Sequence, residues 1–506
     1  MISRRTFFKT GAAASAGVSV GLGRVPRAAA KGELEQVTMA SPVEPGTMDP
    51  HMHANRWTLD VHNQCFDQLI HRDPKAKMIP GLATAWKQRD ERTWRFDLRK
   101  GVRYHGGEPF DAETVKYSYD RIMDPNTKSP IVSSLRLVEK VSVVDSHTLD
   151  IVTKAPAPVL PAYLSLYTNI VSKAWMMAKG PEFAARNING TGAFKLTEWR
   201  KGDHIKLARN EGYWGGRPQI KNVTIRPIPD ANSRVLALQK GEVDIVQDLP
   251  AALADEIKKN PELRGSAVPS IRVHFVVLRT DVKPLDNPRV RQALNYAINK
   301  EAIAKQLLRG YAHPLTQILT PAMFGYAPDV SGFPYNPDRA KALLREAGLP
   351  KGFSTEISGP TLNGDVIEAI AGNLREVGVE TNIRIEEQKV NYENLMKRKA
   401  TPLHYLSWGN WNLFDADGTV PFLYGADSQW SYFTPSSRFV ELNRVGSTVV
   451  DGKKRLEAYH ELMKVCQAEA PLLLLYQQFD INAANRKTTF ETRYDNVMLL
   501  HNTEKA

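Results

Sequence analysis

The sequence predicts a mixed α/β fold, and three observations carry that expectation. Short runs of β-type character alternate with capped, amphipathic helices along the chain. At 506 residues it has material for several buried cores, and the usual length prior suggests roughly three domains. Beyond the N-terminus there is no internal repeat, no low-complexity tract and no apolar run long enough to span a bilayer.

The N-terminal segment reads as a targeting signal. Arg4-Arg5 precedes Phe7, Phe8 and Lys9, a weakly apolar stretch covers 11–22, and Ala28-Ala29-Ala30 offers the small side chains a signal peptidase accepts. Residues 1–30 are thus expected to be a twin-arginine-type signal peptide, cleaved before Lys31, that sends the mature chain to the periplasm. No cysteine follows the apolar stretch until Cys65, so no lipid anchor is expected at the processing site.

The first strand is expected at 37–40, ending in a turn through Pro42, Pro45 and Gly46. Cys65 stands between Val61 and Leu69 at helical spacing and reads as a small core residue. Residues 94–98 alternate as a half-buried strand should. Asp111 is placed to cap a helix with the apolar stripe Val115, Tyr119 and Ile122, closed by Pro125. Asn287-Pro288 starts another helix, with Val290, Leu294, Ala297 and Ile298 on one face. Asn336-Pro337 repeats the device, and Gly348 stops that helix. Cys466 continues the stripe Leu456, Tyr459, Met463. Two cysteines are too few for a disulfide framework, although pairing of Cys65 with Cys466 stays open.

Charge and motifs narrow the chemistry. Removing Arg4, Arg5, Lys9, Arg24 and Arg27 lowers 67 Lys and Arg to 62, against 55 Asp and Glu, and the rest are dispersed. Nucleic acid is therefore not an expected partner. Beyond the signal segment the hydrolase motifs GxSxG and HExxH and a CxxC pair do not occur; His105-Gly106-Gly107 resembles half of an esterase oxyanion loop without a nucleophile elbow. Gly190-Thr191-Gly192 lacks the remainder of a phosphate-binding pattern and reads as tight-turn glycines. Tyr213-Trp214-Gly215-Gly216 reads as a packed corner. His51 and His53 supply only two metal ligands, and no cofactor or metal is expected.

Four stretches in order resemble one family. They are Gly81-Leu82-Ala83 through Trp86, Trp94, Gly101-Val102 and Gly107 to Tyr119; then Gly190-Thr191-Gly192 through Tyr213-Trp214 and Pro229-Asp230-Ala231 to Asp244; then Pro284-Leu285-Asp286 with Arg289 to Ile298; and last Asn336-Pro337 with Ala347-Gly348. Together they resemble the extracytoplasmic solute-binding proteins of ABC importers, peptide/nickel-binding family (family 5). The resemblance implies a periplasmic-binding-protein type II-like fold, with two lobes about a hinged cleft and an extra subdomain. One lobe is then 31–73, 188–275 and 485–506, the inserted subdomain is 74–187, and the second lobe is 276–484. Segments 272–280 and 478–484 are the expected hinge. It also implies a monomeric, non-catalytic receptor that captures a peptide or peptide-like solute and passes it to membrane permease subunits.

In the peptide-binding members an extended peptide pairs with a cleft strand, which here resembles 407–417. The implied contacts are Trp408, Gly409, Asn410, Trp411 and Asp415, with Trp430 nearby and His53, Asn55 and Arg56 on the facing lobe. This chain departs from the pattern at Trp411, where those members carry the aspartate that meets the peptide amine. Asp415 is a substitute at another spacing, and Arg56 offers a fork for a carboxylate. Trp408, Trp411, Phe414, Trp430 and Tyr432 would equally suit a sugar ring or a cation. Oligosaccharide or opine-like solutes, nickel chelates, a sensor subunit and a secreted hydrolase stay open beside the peptide.

Overall fold

In the computed structural model, which describes residues 33–409 and 413–505, eleven strands join one mixed sheet. The signal segment 1–30 and two expected contacts, Asn410 and Trp411, lie outside the described residues. The sheet runs from Val379–Glu386 through Phe353–Pro360, Leu403–Trp408, Leu263–Leu278, Leu472–Asn485, Ile245–Val246, Leu34–Ser41, Ile220–Pro227 and His204–Arg209 to Phe194–Arg200. The parallel pair at one end is joined through the helix Gly364–Glu376, and in the other half Ala231–Gln239 links the two strands that flank Leu34–Ser41, each parallel to it.

Two long antiparallel strands cross the middle and belong to both halves. Leu263–Leu278 and Leu472–Asn485 pair along most of their length, but the register breaks between Pro269 and Val273. Proline cannot donate to a ladder, and the Gln477 side chain bonds the Ser270 carbonyl across the gap at 2.5 Å. The interruption is centred on 270–272, opposite 477–479. It therefore falls at the start of the first expected hinge segment and of the second. The rest of 478–484 pairs in register on one side of it, and on the other side a second register shift falls between His274 and Phe275 before the strand ends at Leu278.

A separate antiparallel sheet, Ala83–Gln88, Thr93–Leu98, Thr148–Thr153 and Val138–Asp145, carries the helix Ala112–Met123. That helix begins as its sequence requires. Asp111 accepts from Thr114 N at 3.0 Å in a capping box, and Val115, Tyr119 and Ile122 are buried. The strand before it buries Phe96 and Leu98 and exposes Asp97. Pro288–Ala297 and Pro337–Glu346 start after their Asn caps, and Gly348 takes the left-handed conformation that ends the second.

Cys65 departs from the expected continuous stripe. Its helix, Leu59–Cys65, stops there because the Cys65 carbonyl accepts from Gly192 N at 2.9 Å and Phe66 turns extended. Leu69 consequently joins a different core from Val61 and Cys65. Cys65 and Cys466 are buried free thiols in separate cores, and burial pushes both thiol pKa values up.

Gly190 and Gly192 are required by close packing, with no left-handed backbone involved. A Cβ on Gly190 would stand 1.9 Å from the Cys65 carbonyl oxygen, and one on Gly192 would stand 2.5 Å from the Cys65 carbonyl carbon. Thr191 between them bonds buried Asp67 at 2.7 Å, as do Tyr213 at 3.1 Å and Trp214 at 2.9 Å. The Tyr213-Trp214 segment is the packed corner its composition suggests.

Candidate functional site

One wall of the site is a loop held almost entirely by buried polar contacts. Asp49 receives a two-pronged ion pair from Arg121, at 2.5 and 3.0 Å, and fixes the backbone of His51 at 3.0 Å. Arg121 also donates to His51 Nδ1 at 2.9 Å, which leaves the ring proton on Nε2 for the Asn169 carbonyl at 2.8 Å. Burial holds His51 neutral, with its pKa down at about 4. His51 is a packing residue of this wall.

His53 is similarly engaged. Its Nε2 lies 2.6 Å from His62 Nδ1, and its Nδ1 meets the Thr58 hydroxyl. His62 Nε2 faces the Thr47 carbonyl at 3.1 Å, and the Thr58 hydroxyl donates its one proton to the Asn55 carbonyl at 2.6 Å. Burial pushes His53 down to about 4. Asn55 uses its side chain to cap the short helix Arg56–Thr58, accepting from Trp57 N at 3.0 Å.

Arg56 belongs to a charge cluster with Asp248, Asp60 and Asp480. It donates to Asp248 at 2.6 Å and to the Asn496 carbonyl at 2.9 Å, and its guanidinium lies 4.8 Å from the Trp57 ring centre. Burial opposes the Arg56 charge, but Asp248, Asp60 and Asp480 together raise its pKa. Asp60 and Asp480 are themselves pushed up to about 7 by burial. A solute carboxylate at Arg56 would have to share it with Asp248.

The opposite wall follows the strand Leu403–Trp408. Trp408 is buried, donates Nε1 to the Gly418 carbonyl at 2.9 Å, and packs 5.6 Å from Phe422 and 5.3 Å from half-buried Trp430, ring centre to ring centre. Gly409 is partly exposed, and a Cβ there would lie 4.0 Å from the Arg272 guanidinium. Asp415 is buried in a bidentate pair with Arg455 at 2.6 and 2.8 Å, and also caps Ala416–Gly418. Its carboxylate is thus committed inside its own half. Tyr432 lies under Arg398 and Arg279, at 4.1 and 4.9 Å.

The two walls meet at a cavity of about 170 Å³. Ala54, Pro130, Ile131, Leu166 and Tyr167 line one side, Leu413, Gly418 and Phe422 the other. Arg136 and Tyr163 sit at its rim and reach across to Asp417, at 2.9 and 3.0 Å. Arg72 adds a second crossing, donating to the Leu413 carbonyl at 2.8 Å. The structure therefore brings Trp408 and Trp430 together behind Phe422, and places His53 and Asn55 on either side of the cavity-lining Ala54. It does not bring Arg56 and Asp415 to one point; each has its own partner. Arg136, Tyr163 and Phe422 carried no motif, and Asp417 stood only at the end of the segment 407–417. Their proximity depends on residues 136 and 417 meeting across the cleft, which no local spacing announces.

Comparison with known proteins gives a consistent result. The family described as bacterial extracellular solute-binding proteins, family 5 Middle, matches residues 77–430. The dipeptide-binding protein of Escherichia coli K12 is 29% identical over 493 residues, covering 88% of this chain and 90% of its own. A glutathione-binding protein of Pectobacterium atrosepticum is 28% identical over 459 residues, 88% of each chain. Among solved structures, HbpA2 from Haemophilus parasuis matches with a TM-score of 0.85 at 22% identity, covering 93% of this chain and 100% of that one.

Proposed function

The chain belongs to family 5 of the bacterial extracellular solute-binding proteins, and from that premise we propose that it captures a peptide or peptide-like solute for an ABC importer and delivers it to the permease. One observation carries this reading. The cavity is walled from both sides of two strands whose pairing breaks at 270–272, so a bend there would open or close it. A receptor of this kind releases its solute by the same motion, and no bond need be made or broken.

The contacts proposed for the solute are the backbone around Gly409, the segment through Asn410 and Trp411, the Trp408–Trp430 face, and the loop from His53 to Arg56. Within that set Asp415 and His53 act by holding their walls in place. The mature protein is proposed to work as a periplasmic monomer, exported by the twin-arginine route through Arg4-Arg5. The dipeptide- and glutathione-binding relatives support a peptide-like solute over a sugar.

Native mass spectrometry of protein purified from the periplasm, followed by calorimetry of whatever co-purifies, tests the reading. A peptide or peptide conjugate released on denaturation is the expected result, with affinity reduced at least tenfold by Trp411→Ala. A co-purified oligosaccharide or nickel chelate would overturn the peptide assignment. Replacing Arg4-Arg5 by two lysines is expected to leave precursor in the cytoplasm; undiminished export would remove the twin-arginine route.

A further inference from the structure

We propose that the cavity between Ile131, Leu166, Leu413 and Phe422 is a specificity pocket for one apolar group of the solute, an aromatic ring or a branched aliphatic side chain. The proposal rests on the solute-capture reading above and narrows the class of solute. Its size is the first argument. A volume of about 170 Å³ is close to that of the roughly 150 Å³ aliphatic-lined cavity that admits benzene. One ring fits; a fused polycycle does not.

The polar groups at the rim are the second argument. Arg136 and Tyr163 already share Asp417, and the Arg136 guanidinium lies 5.7 Å from the Phe422 ring centre. A cationic side chain entering here would lose its hydration, meet carbon on most sides, and face the positive Arg136 at the mouth. An apolar group has no such cost and gains by leaving water. Filling the pocket with a phenyl or isobutyl group in place of a methyl is expected to tighten binding about 10- to 100-fold. Selection here is therefore against lysine and in favour of phenylalanine or leucine. Val159 and Ala162 pack against Leu413 beside the cavity, so closure of the two walls and formation of the pocket are one event.

Two probes separate this inference from the reading it rests on. Free benzene tests the pocket alone, observed by nuclear Overhauser contacts to labelled methyls of Ile131, Leu166 and Leu413 in the full-length mature protein. Contacts to those methyls are expected, and their loss is expected in Ser134→Trp and in Ala54→Trp, which fill the cavity from two positions of one wall. Absence of the contacts in the unaltered protein overturns the pocket, whether or not the variants fold. Calorimetry with alanyl-phenylalanine, alanyl-leucine, alanyl-alanine and alanyl-lysine tests the selectivity, with the first two tightest and the last weakest. Equal affinity across the four overturns the proposal while leaving solute capture intact. If none of the dipeptides binds and benzene still does, the peptide assignment falls and the apolar pocket stands.

Discussion

At the residue scale, the site's ionisable side chains serve mainly to hold its walls. His51 and His53 titrate at about 4 in the folded protein because burial disfavours their charged forms. Unfolded, each titrates near about 6.5. Between those values the unfolded chain binds the extra protons, so their contribution is complete above about pH 6.5 and is lost as pH falls through about 4. Urea midpoints at pH 7 and pH 4.5 should show the difference. His53→Gln is expected to reduce the acid-induced loss by about 2–3 kcal/mol relative to the unaltered protein, and an unchanged loss would show that His53 is not held neutral. Asp415 is the complementary case. Removing it strands the Arg455 guanidinium, so Asp415→Ala is expected to cost about 3–5 kcal/mol in the urea midpoint. Calorimetry on the folded fraction should show any loss of solute affinity to be secondary. The sequence exposed Asp415 as a carboxylate near the cleft strand, but not its commitment to Arg455, because the partner is forty residues away and on another helix. Arg56 and Asp248 repeat the problem across a much longer separation.

At the element scale, what is local was legible. Asp111, Asn287 and Asn336 each cap the helix their spacing predicts, because a cap depends on the next three residues and on nothing distant. The Gly190-Thr191-Gly192 segment was legible as glycine-dependent, but the reason lay elsewhere in the chain. Its glycines make room for the Cys65 backbone, and that contact ends the helix Leu59–Cys65 four residues short of Leu69. Asp111→Ala is expected to lower stability by about 1 kcal/mol. Gly190→Ala is expected to cost more than the usual range of about 1–3 kcal/mol for overpacking, since the clash is with a backbone carbonyl that cannot rotate away. Both are read as shifts of urea midpoint at constant slope; a Gly190→Ala shift no larger than that of Asp111→Ala would mean the segment moves freely. The crossings through 272–280 and 478–484 were foreseen, but the interruption at 270–272, at the start of both segments, depends on pairing and so was not itself legible.

At the scale of the whole molecule, the order of family-like segments was enough to foresee the fold, while the contacts across the cleft were not. Among the described residues, several of those contacts gather at one place. Arg136 and Tyr163 meet Asp417, Arg72 meets the Leu413 carbonyl, and Val159 and Ala162 touch Leu413. A receptor must exchange conformations readily, so the free energy holding its walls together in the absence of solute has to be small. An exposed ion pair contributes about 1 kcal/mol or less, but Asp417 is buried and accepts from two donors, so its bridge restrains the walls more than an exposed pair would. Removing it should therefore change the solute-free distribution before it changes affinity. Spin labels at exposed Lys201 and Leu362, one in each half of the main sheet region, provide the ruler; the two native cysteines are buried. The distance distribution of the solute-free protein is expected to broaden in Asp417→Asn and in Arg136→Met, and to do so no further in the double variant, because the two side chains form one bridge. Additive broadening, or none, would place the restraint at Arg72 and Leu413 instead, and Arg72→Met should then reproduce the effect alone.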